Sequence, residues 1–491
     1  MAGLTQIKIP VKASERTIEK IVPYLPTIFS TFEKNSKQIR ADYDLYCLEH
    51  EINSKTRPHD DEINNIVVSP HIRSMVQWKT GYILGNPIKY AQSKSTQTDD
   101  ITTLNTYIRH SNKGSVDKQV AEWAYACGVG YYFIQPKSVA VNVSHEAPFD
   151  IYCIDADTCG KVYSSYLGNE ALCDFLYSEN VTIDEDGKKE TIRLISIYMP
   201  EALYVYQKKG SRQFELVEEQ ERGLYTKLPL VEMTYHNRIG ISAVARSLQY
   251  AVDRIASDGV DNIQDVVNEI WVFLNTSLGK TNDEKATNLL AMKKNGAIEL
   301  TSANPDLPAD VKTIMTKLNL TEVMDTRAVL LKEMYDTNGV PISSSAISSG
   351  NVTKGGGEVA NGYENAYNRA LDDKNSFMPA QRKVLDRIIG ICHKTPDCRI
   401  DELQASEIEI KYCFNMSDNM LTKTQSYVNL VEACVPPAMA LEKVKLSNDS
   451  EAEGQMVEQY IEKLEKRKLE AEKVLATNKS AREGTQNNSQ G

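Results

Sequence analysis

Residues 242–275 contain no proline, and Val244, Leu248, Val252, Ile255, Ile263, Val267, Ile270 and Leu274 recur along them at helical steps. That spacing gathers the apolar side chains on one helix face. At ~1.5 Å per residue it predicts a rod of about 51 Å, long against the ~11–12 residues of a typical globular helix. Ser242 is placed as its N-cap, and Gly259 marks a candidate kink. A second rod is expected over Thr321–Asp336, stopped by Asn338-Gly339 with Pro341 beyond. A third runs from Glu358 to His393, with Tyr363, Ala366, Ala370, Phe377, Val384, Ile388 and Ile391 on one face and a kink at Pro379. Side-by-side packing of long helices around a ring gives such rods a reason to exist. An elongated helical monomer is the alternative.

The rest of the chain is mixed. Its 491 residues suggest about three domains or subdomains. Residues 1–68 read mostly as helix, with Tyr24, Leu25, Ile28, Phe29 and Phe32 at helical spacing. Residues 76–90 read as a helix ending near Gly85, a turn at Asn86-Pro87 and a strand. A helix from about Asp117 to Cys127 stops at Gly128-Val129-Gly130 and leads into the strand Tyr131–Gln135. Short alternating segments between Val139 and Val231 predict a β-rich region. Between the first two rods, Lys280–Leu320 is a small mixed module with a helix over Thr281–Met292, a strand over Gly296–Leu300 and a loop at Pro305 and Pro308. Glu407–Phe414 alternates as a half-exposed strand. Residues 419–475 are helical, broken at Pro436-Pro437, and 476–491 form a polar, disordered tail. The fold class is α+β, mainly α.

The motifs argue against catalysis. Gly355-Gly356-Gly357 invites a phosphate-cradling reading, but Lys354 precedes the glycines and a helix leads in, whereas a P-loop sets its lysine after them and follows a strand. Asp155-Ala156-Asp157 reads as a solvated turn. Cys392, His393 and Cys398 offer three zinc ligands without a fourth. The nine cysteines show no framework and fit reduced thiols in a cytosol. No catalytic residue, metal site or cofactor is expected. There is no signal peptide and no apolar run near ~18–20 residues, so the chain reads as soluble and cytosolic, without a membrane. A net charge of −11 has the wrong sign for coating phosphate backbones.

Several segments, in order, carry a resemblance. Gly81-Tyr82-Ile83-Leu84-Gly85-Asn86-Pro87-Ile88-Lys89-Tyr90, Ala126-Cys127-Gly128-Val129-Gly130-Tyr131, the helix Leu248–Asn262 with Asp253, Ser257 and Asn262, and Gly339-Val340-Pro341 are similar to elements of the portal proteins of tailed bacteriophages. The likeness spans about residues 20–470 and points to the branch common in phages of Gram-positive bacteria. The cysteine-rich Asp150–Cys159 stretch and the long Ser/Gly loop depart from the family pattern.

The resemblance implies a portal-type fold. Residues 1–240 and 358–415 would form a β-containing wing, 241–275 and 321–337 the stem helices, and 276–320 a small α/β clip. Residues 338–357 would be the tunnel loop and 416–475 a helical crown. It implies a homo-oligomeric ring of 12 subunits, 12 × 55.1 kDa or about 661 kDa. Through that ring double-stranded DNA would be packaged, retained and ejected at one capsid vertex of the virion, after assembly in the host cytoplasm. The partners implied are the terminase large subunit, head-completion or adaptor proteins, and the major capsid and scaffolding proteins. Ser343, Ser344, Ser345, Ser348, Ser349, Asn351, Thr353 and Lys354 would face DNA. Lys285, Lys293, Lys294 and Asn295 would dock terminase or adaptor. A minor head protein and a packaging-motor ATPase are the competing readings.

Overall fold

The computed structural model describes residues 3–467 except 58–62, 93–98, 138–145, 184–188, 210–212, 224, 226, 268–269, 275–280, 296–309, 315–319, 343–355, 397, 399, 401–402, 416–419, 445, 447–452 and 465. The expected strand Gly296–Leu300, the Ser/Gly loop and the tail therefore lie outside the described residues. The chain divides into two units, Met1–Thr80 with Thr102–Ala405 and Gly81–Ile101 with Ser406–Gly491.

In the first unit a six-stranded sheet runs β1-β5-β6-β7-β8-β9. Its strands are β1 (Ile7–Ile9), β5 (Cys159–Ser164), β6 (Ala171–Ile183), β7 (Lys189–Tyr198), β8 (Ala202–Lys208) and β9 (Phe214–Glu221). β1 pairs with β5 in parallel and every other neighbour is antiparallel. The short α1 (Ile18–Ile21) leads towards α2 (Leu25–Tyr46). Leu25, Ile28, Phe29 and Phe32 of α2 follow the i, i+3, i+4, i+7 rule and form one buried cluster with Ile9, Val162, Phe175, Ile195 and Ile197. The Phe32 and Phe175 rings meet edge to face at 5.1 Å. The N-terminal segment thus opens on a strand before its helices, where spacing predicts a segment that is mostly helix. Three residues of β1 are too few to show a period against the helical run that follows.

A second sheet, β10-β3-β4, comprises β3 (Val129–Pro136), β4 (Phe149–Ile154) and β10 (Leu230–Thr234). The first six residues of β3 are all buried, which accounts for its unbroken apolar run. α5 (Lys113–Cys127) and a long helix, α9 (Gly356–Cys392), both pack on β3. α5 ends at Gly128, whose φ of +91° suits glycine. A Cβ there would stand 2.5 Å from the Arg238 carbonyl carbon.

The first predicted rod is α6 (Ile241–Val267), 27 residues or about 40 Å. It is shorter than the sequence suggests. Ile270–Leu274 forms strand β11, paired antiparallel with β12 (Asp310–Ile314). The reason is local: Ile-Trp-Val-Phe-Leu is β-branched and aromatic, and its apolar residues also fit a helical period. Ser242 is not the N-cap. It lies inside α6, and its buried hydroxyl has no hydrogen-bond partner among the described residues. Gly259 lies within the continuous helix, with open space where a Cβ would be. Between β11 and β12 stands α7 (Asn282–Asn295), completing the small mixed module. α8 (Leu320–Asn338) packs along α6 and stops at Gly339, φ +65°. α9 contains Pro379 inside its 37 residues.

α3 (His71–Leu84) and α4 (Asp99–His110) complete the helices before α5; α4 has no counterpart among the sequence expectations. In the second unit β2 (Lys89–Gln92) pairs antiparallel with β13 (Ile408–Lys411). The Asn415 amide donates to the Tyr82 carbonyl at 2.7 Å, and the Tyr82 and Phe414 rings stack at 6.0 Å. α10 (Met420–Glu432), α11 (Pro437–Val444) and α12 over residues 453–464 follow.

Candidate functional site

One face of α6 carries Gln249, Asp253, Ser257 and Asp261, polar side chains at a strict spacing of four, all buried. Such residues are seldom buried without partners. Here the partners are mainly the backbone of a strap, residues 63–69. The Asn65 amide donates to Asp261 at 2.7 Å, the Val67 amide to Ser257 at 2.9 Å and the Ser69 amide to Asp253 at 2.9 Å. Gln249 donates to the Ser69 carbonyl at 2.8 Å. The register is commensurate: two residues of extended chain advance ~6.7 Å and four residues of helix ~6.0 Å. The strap therefore runs antiparallel to α6 and places every second amide on the next helical turn. Asp253 also accepts from Nδ1 of His50, whose Nε2 donates to the Leu45 carbonyl at 3.1 Å.

Beside the ladder, residues 51–57 and α6 enclose a cleft of about 420 Å³. Its Lys55 ammonium bridges Asp258 and Asp261 at 2.7 Å each, so this cation is matched within the chain. Burial would push the Asp261 carboxyl up, but hydrogen bonds from Lys55 and Asn65 outweigh it and hold it below the usual carboxylate range. Two groups nearby are displaced by burial. The Asp42 carboxyl rises to about 6 despite its 2.6 Å contact with Arg246. His71, whose Nδ1 meets the Tyr335 hydroxyl at 3.2 Å, falls to about 4.

The long α9 is pinned by two buried polar knots. Asp373 accepts from Lys79 at 2.9 Å, His236 at 2.9 Å and the Tyr125 hydroxyl at 3.1 Å. Burial alone would raise this carboxyl; the His236 hydrogen bond and the Lys79 charge outweigh it and leave it lowered. Gln381 meets Lys113, Asp117 and the Tyr132 hydroxyl, and burial lowers the Lys113 ammonium. At the end of α8, the Val340 amide donates to the Tyr335 carbonyl at 3.0 Å, and a Cβ on Gly339 would stand 2.7 Å from Arg369 Cγ on α9. The chain is thus anchored up to Val340, and α9 is anchored from Ala366 onward by its buried face.

Ser343, Ser344, Ser345, Ser348, Ser349, Asn351, Thr353 and Lys354 all lie outside the described residues. Lys285, Lys293, Lys294 and Asn295 share one helix, α7, with Lys285 exposed. Of the three helix residues singled out in sequence, Asp253 and Ser257 belong to the buried ladder; Asn262 is half-buried and Asp261 takes the third place. The strap itself has no sequence signature, although polar residues every fourth position on an apolar helix are a legible sign that something polar covers them. Asp157 lies 3.6 Å from Arg40. Cys392 and Cys398 are buried while His393 is exposed. Among the described residues no three His, Cys, Asp or Glu side chains gather as a metal site, and no helix is long and apolar enough to cross a membrane.

Comparison with known proteins bears on the same chain. No curated protein matches it. A solved structure, "Neck of empty GTA particle computed with C6 symmetry", is similar at 11% identity and a TM-score of 0.41, covering 76% of this chain and 88% of that one. A family model described as phage portal protein, SPP1 Gp6-like, matches residues 27–474. With nearly its whole length matched, and with long α6 and α8 flanking a small strand–helix–strand module, the chain belongs to the SPP1 Gp6-like family of phage portal proteins.

Proposed function

We propose that this chain forms a closed homo-oligomeric ring at one capsid vertex, through which double-stranded DNA is packaged, retained and later ejected. The observation that carries the reading is the portal family match over residues 27–474. In this assignment α6 and α8 are the stem and residues 276–320 most of the clip. Residues 338–357 are the tunnel loop, and the β-rich part with most of α9 is the wing. The helices after residue 416 form the crown. Terminase and then head-completion proteins dock at the clip, with Lys285, Lys293, Lys294 and Asn295 on the docking helix.

Two physical features support a channel. An acidic chain, −11 overall, suits a conduit along which DNA must slide, because a strongly basic lining would hold phosphates in place. The buried side-chain ladder on α6 and the knots on α9 fix long helices at defined places, as a channel of constant shape requires. The role is structural: DNA movement is driven by a separate ATP-hydrolysing terminase, and this chain hydrolyses no ATP. Negative-stain imaging of the purified protein tests the reading. Rings with a central channel are expected, near 661 kDa by light scattering for 12 × 55.1 kDa. A monomer in purified protein, together with absence of the chain from the portal vertex of virions, would overturn it.

A further inference from the structure

α9 ends on a pair of thiols. Cys392 is its last residue and Cys398 follows across a five-residue turn; both are buried and neither is in a disulfide. Their side chains meet: the Cys392 thiol donates a hydrogen bond to the Cys398 sulfur. Among the described residues no further His, Cys, Asp or Glu side chain joins them as a metal site, and a structural zinc ion takes four ligands. The chemistry left to two thiols in contact is redox chemistry.

The backbone holds both sulfurs in place. The His393 amide donates to the Ile389 carbonyl at 2.9 Å, and the Thr395 amide and hydroxyl donate to the Ile391 carbonyl at 3.0 and 2.9 Å, so the helical turn continues past Cys392. The Cys398 amide donates to the Thr395 carbonyl at 3.4 Å, closing a second turn. Ile391 before the pair and Ile400 and Leu403 after it are buried. Sulfurs already in contact need side-chain rotation, not a new backbone path, to reach the ~2.05 Å of a disulfide.

We propose that Cys392 and Cys398 are a redox pair that closes to an intrachain disulfide, stapling the end of α9 to the segment that follows it. It does so whether or not the chain forms a ring. The co-reactant is a small disulfide. The Cys398 thiolate attacks one of its sulfurs and expels one small thiolate, leaving a mixed disulfide on Cys398. The Cys392 thiolate then attacks the Cys398 sulfur and expels the second. The pair gives up two protons and two electrons, and the co-reactant takes them up as two small thiols. Cys398, 7% exposed against 1% for Cys392, is the sulfur reached first. The hydrogen bond to Cys398 and burial push the Cys392 thiol above its ordinary range, so closure is slow near neutrality and faster in alkaline medium. In a reducing cytosol the pair rests as the dithiol; in an oxidising medium the staple closes.

Peptide mapping tests it in the full chain. Cys47→Ser and Cys434→Ser remove the two exposed thiols. This protein is held with hydroxyethyl disulfide at about pH 8.5, then denatured, alkylated and cut with trypsin without reduction. Cleavage after Arg387, Lys394 and Arg399 puts the two cysteines on separate peptides, 388–394 and 395–399. The expected product is these two peptides linked, two hydrogens lighter than their sum, from protein that runs as a monomer on a non-reducing gel. Both peptides recovered alkylated, a mixed disulfide on Cys398 that does not close, or linkage confined to covalent dimers would each overturn the proposal. The staple has its own readout. Amide exchange at Lys394 and Thr395 should slow several-fold on oxidation and recover on reduction, and Cys398→Ser should abolish that response. Exchange that oxidation leaves unchanged, or that still responds in Cys398→Ser, would show that the pair does not staple α9.

Discussion

The Ser69 amide hydrogen-bonds the Asp253 carboxylate at 2.9 Å, across 184 residues of sequence, with both side chains inside the protein. Asp253 is thereby a backbone receptor rather than a surface charge. Its second oxygen takes the His50 ring, and Gln249 closes the Ser69 carbonyl. One turn further along α6, Ser257 does the same for Val67. A long helix that would otherwise expose a polar stripe is stitched to a strap that would otherwise have orphaned amides.

Removing the receptor should therefore cost more than an ordinary surface change. Asp253→Ala leaves the Ser69 amide and the His50 ring buried without their acceptor. A loss of about 3–5 kcal/mol is expected in chemical denaturation. Arg254→Ala, one residue away on an exposed face, should stay within about 0.5 kcal/mol. Equal effects at the two positions would show that the ladder does not hold the strap.

Two glycines should respond with opposite sign. Gly259 sits in mid-helix with open space at its Cβ position, so Gly259→Ala should stabilise by about 0.5–1 kcal/mol. Gly128 has φ +91° and the Arg238 backbone 2.5 Å from its Cβ position. Gly128→Ala must therefore shift backbone and should destabilise by more than about 1 kcal/mol. Thermal unfolding of both variants checks the pair, and a destabilised Gly259→Ala would show that α6 needs that glycine.

Asp42 and His71 should tilt the pH dependence of stability in opposite directions. His71 has its folded value depressed from 6.5 to about 4. Its contribution is present above pH 6.5 and lost as pH falls through about 4. Asp42 is raised from 3.8 to about 6. Its contribution is present below pH 3.8 and lost as pH rises through about 6. Between pH 4 and 6 the two slopes oppose each other. Relative to the parent chain, His71→Gln should make stability fall more steeply with rising pH, and Asp42→Asn should make it rise more steeply. Urea midpoints at pH 4.5, 5.25 and 6 measure both, and identical slopes in the two variants would refute the assignment.

The sequence makes the periodic elements legible and hides the pairings. Val323 to Met334 and Tyr363 to Ile391 repeat often enough to mark α8 and α9, and Asn338-Gly339 carries its own stop. Ile270–Leu274 misleads because five apolar residues satisfy both a helical and a strand period. Only the partner strand 310–314, across the small module, decides between them. The strap is hidden for a different reason. Asn65, Val67 and Ser69 are held by backbone amides, and a backbone amide is the same in every non-proline residue. What remains readable is the receiving side, Gln249, Asp253, Ser257 and Asp261.

The segment from Ser343 to Gly357 supplies the last prediction. Eleven of its fifteen residues are Ser, Gly, Thr or Asn, too polar for a core and too long for an ordinary turn. Its approach is fixed at Val340, and α9 beyond it is pinned through Asp373 and Gln381. Shortening it should therefore leave those anchors in place. Serine and threonine hydroxyls hydrogen-bond phosphates weakly, and Lys354 adds one cation per subunit. A collar of such segments would grip DNA without reading or pinning it, as translocation requires. Deleting Ser344–Thr353 should leave ring assembly intact by light scattering, while packaging or retention of full-length DNA falls in particles built with the deleted chain. Normal packaging and retention would make the segment a connector. A loss of assembly would show instead that it belongs to the contact between subunits.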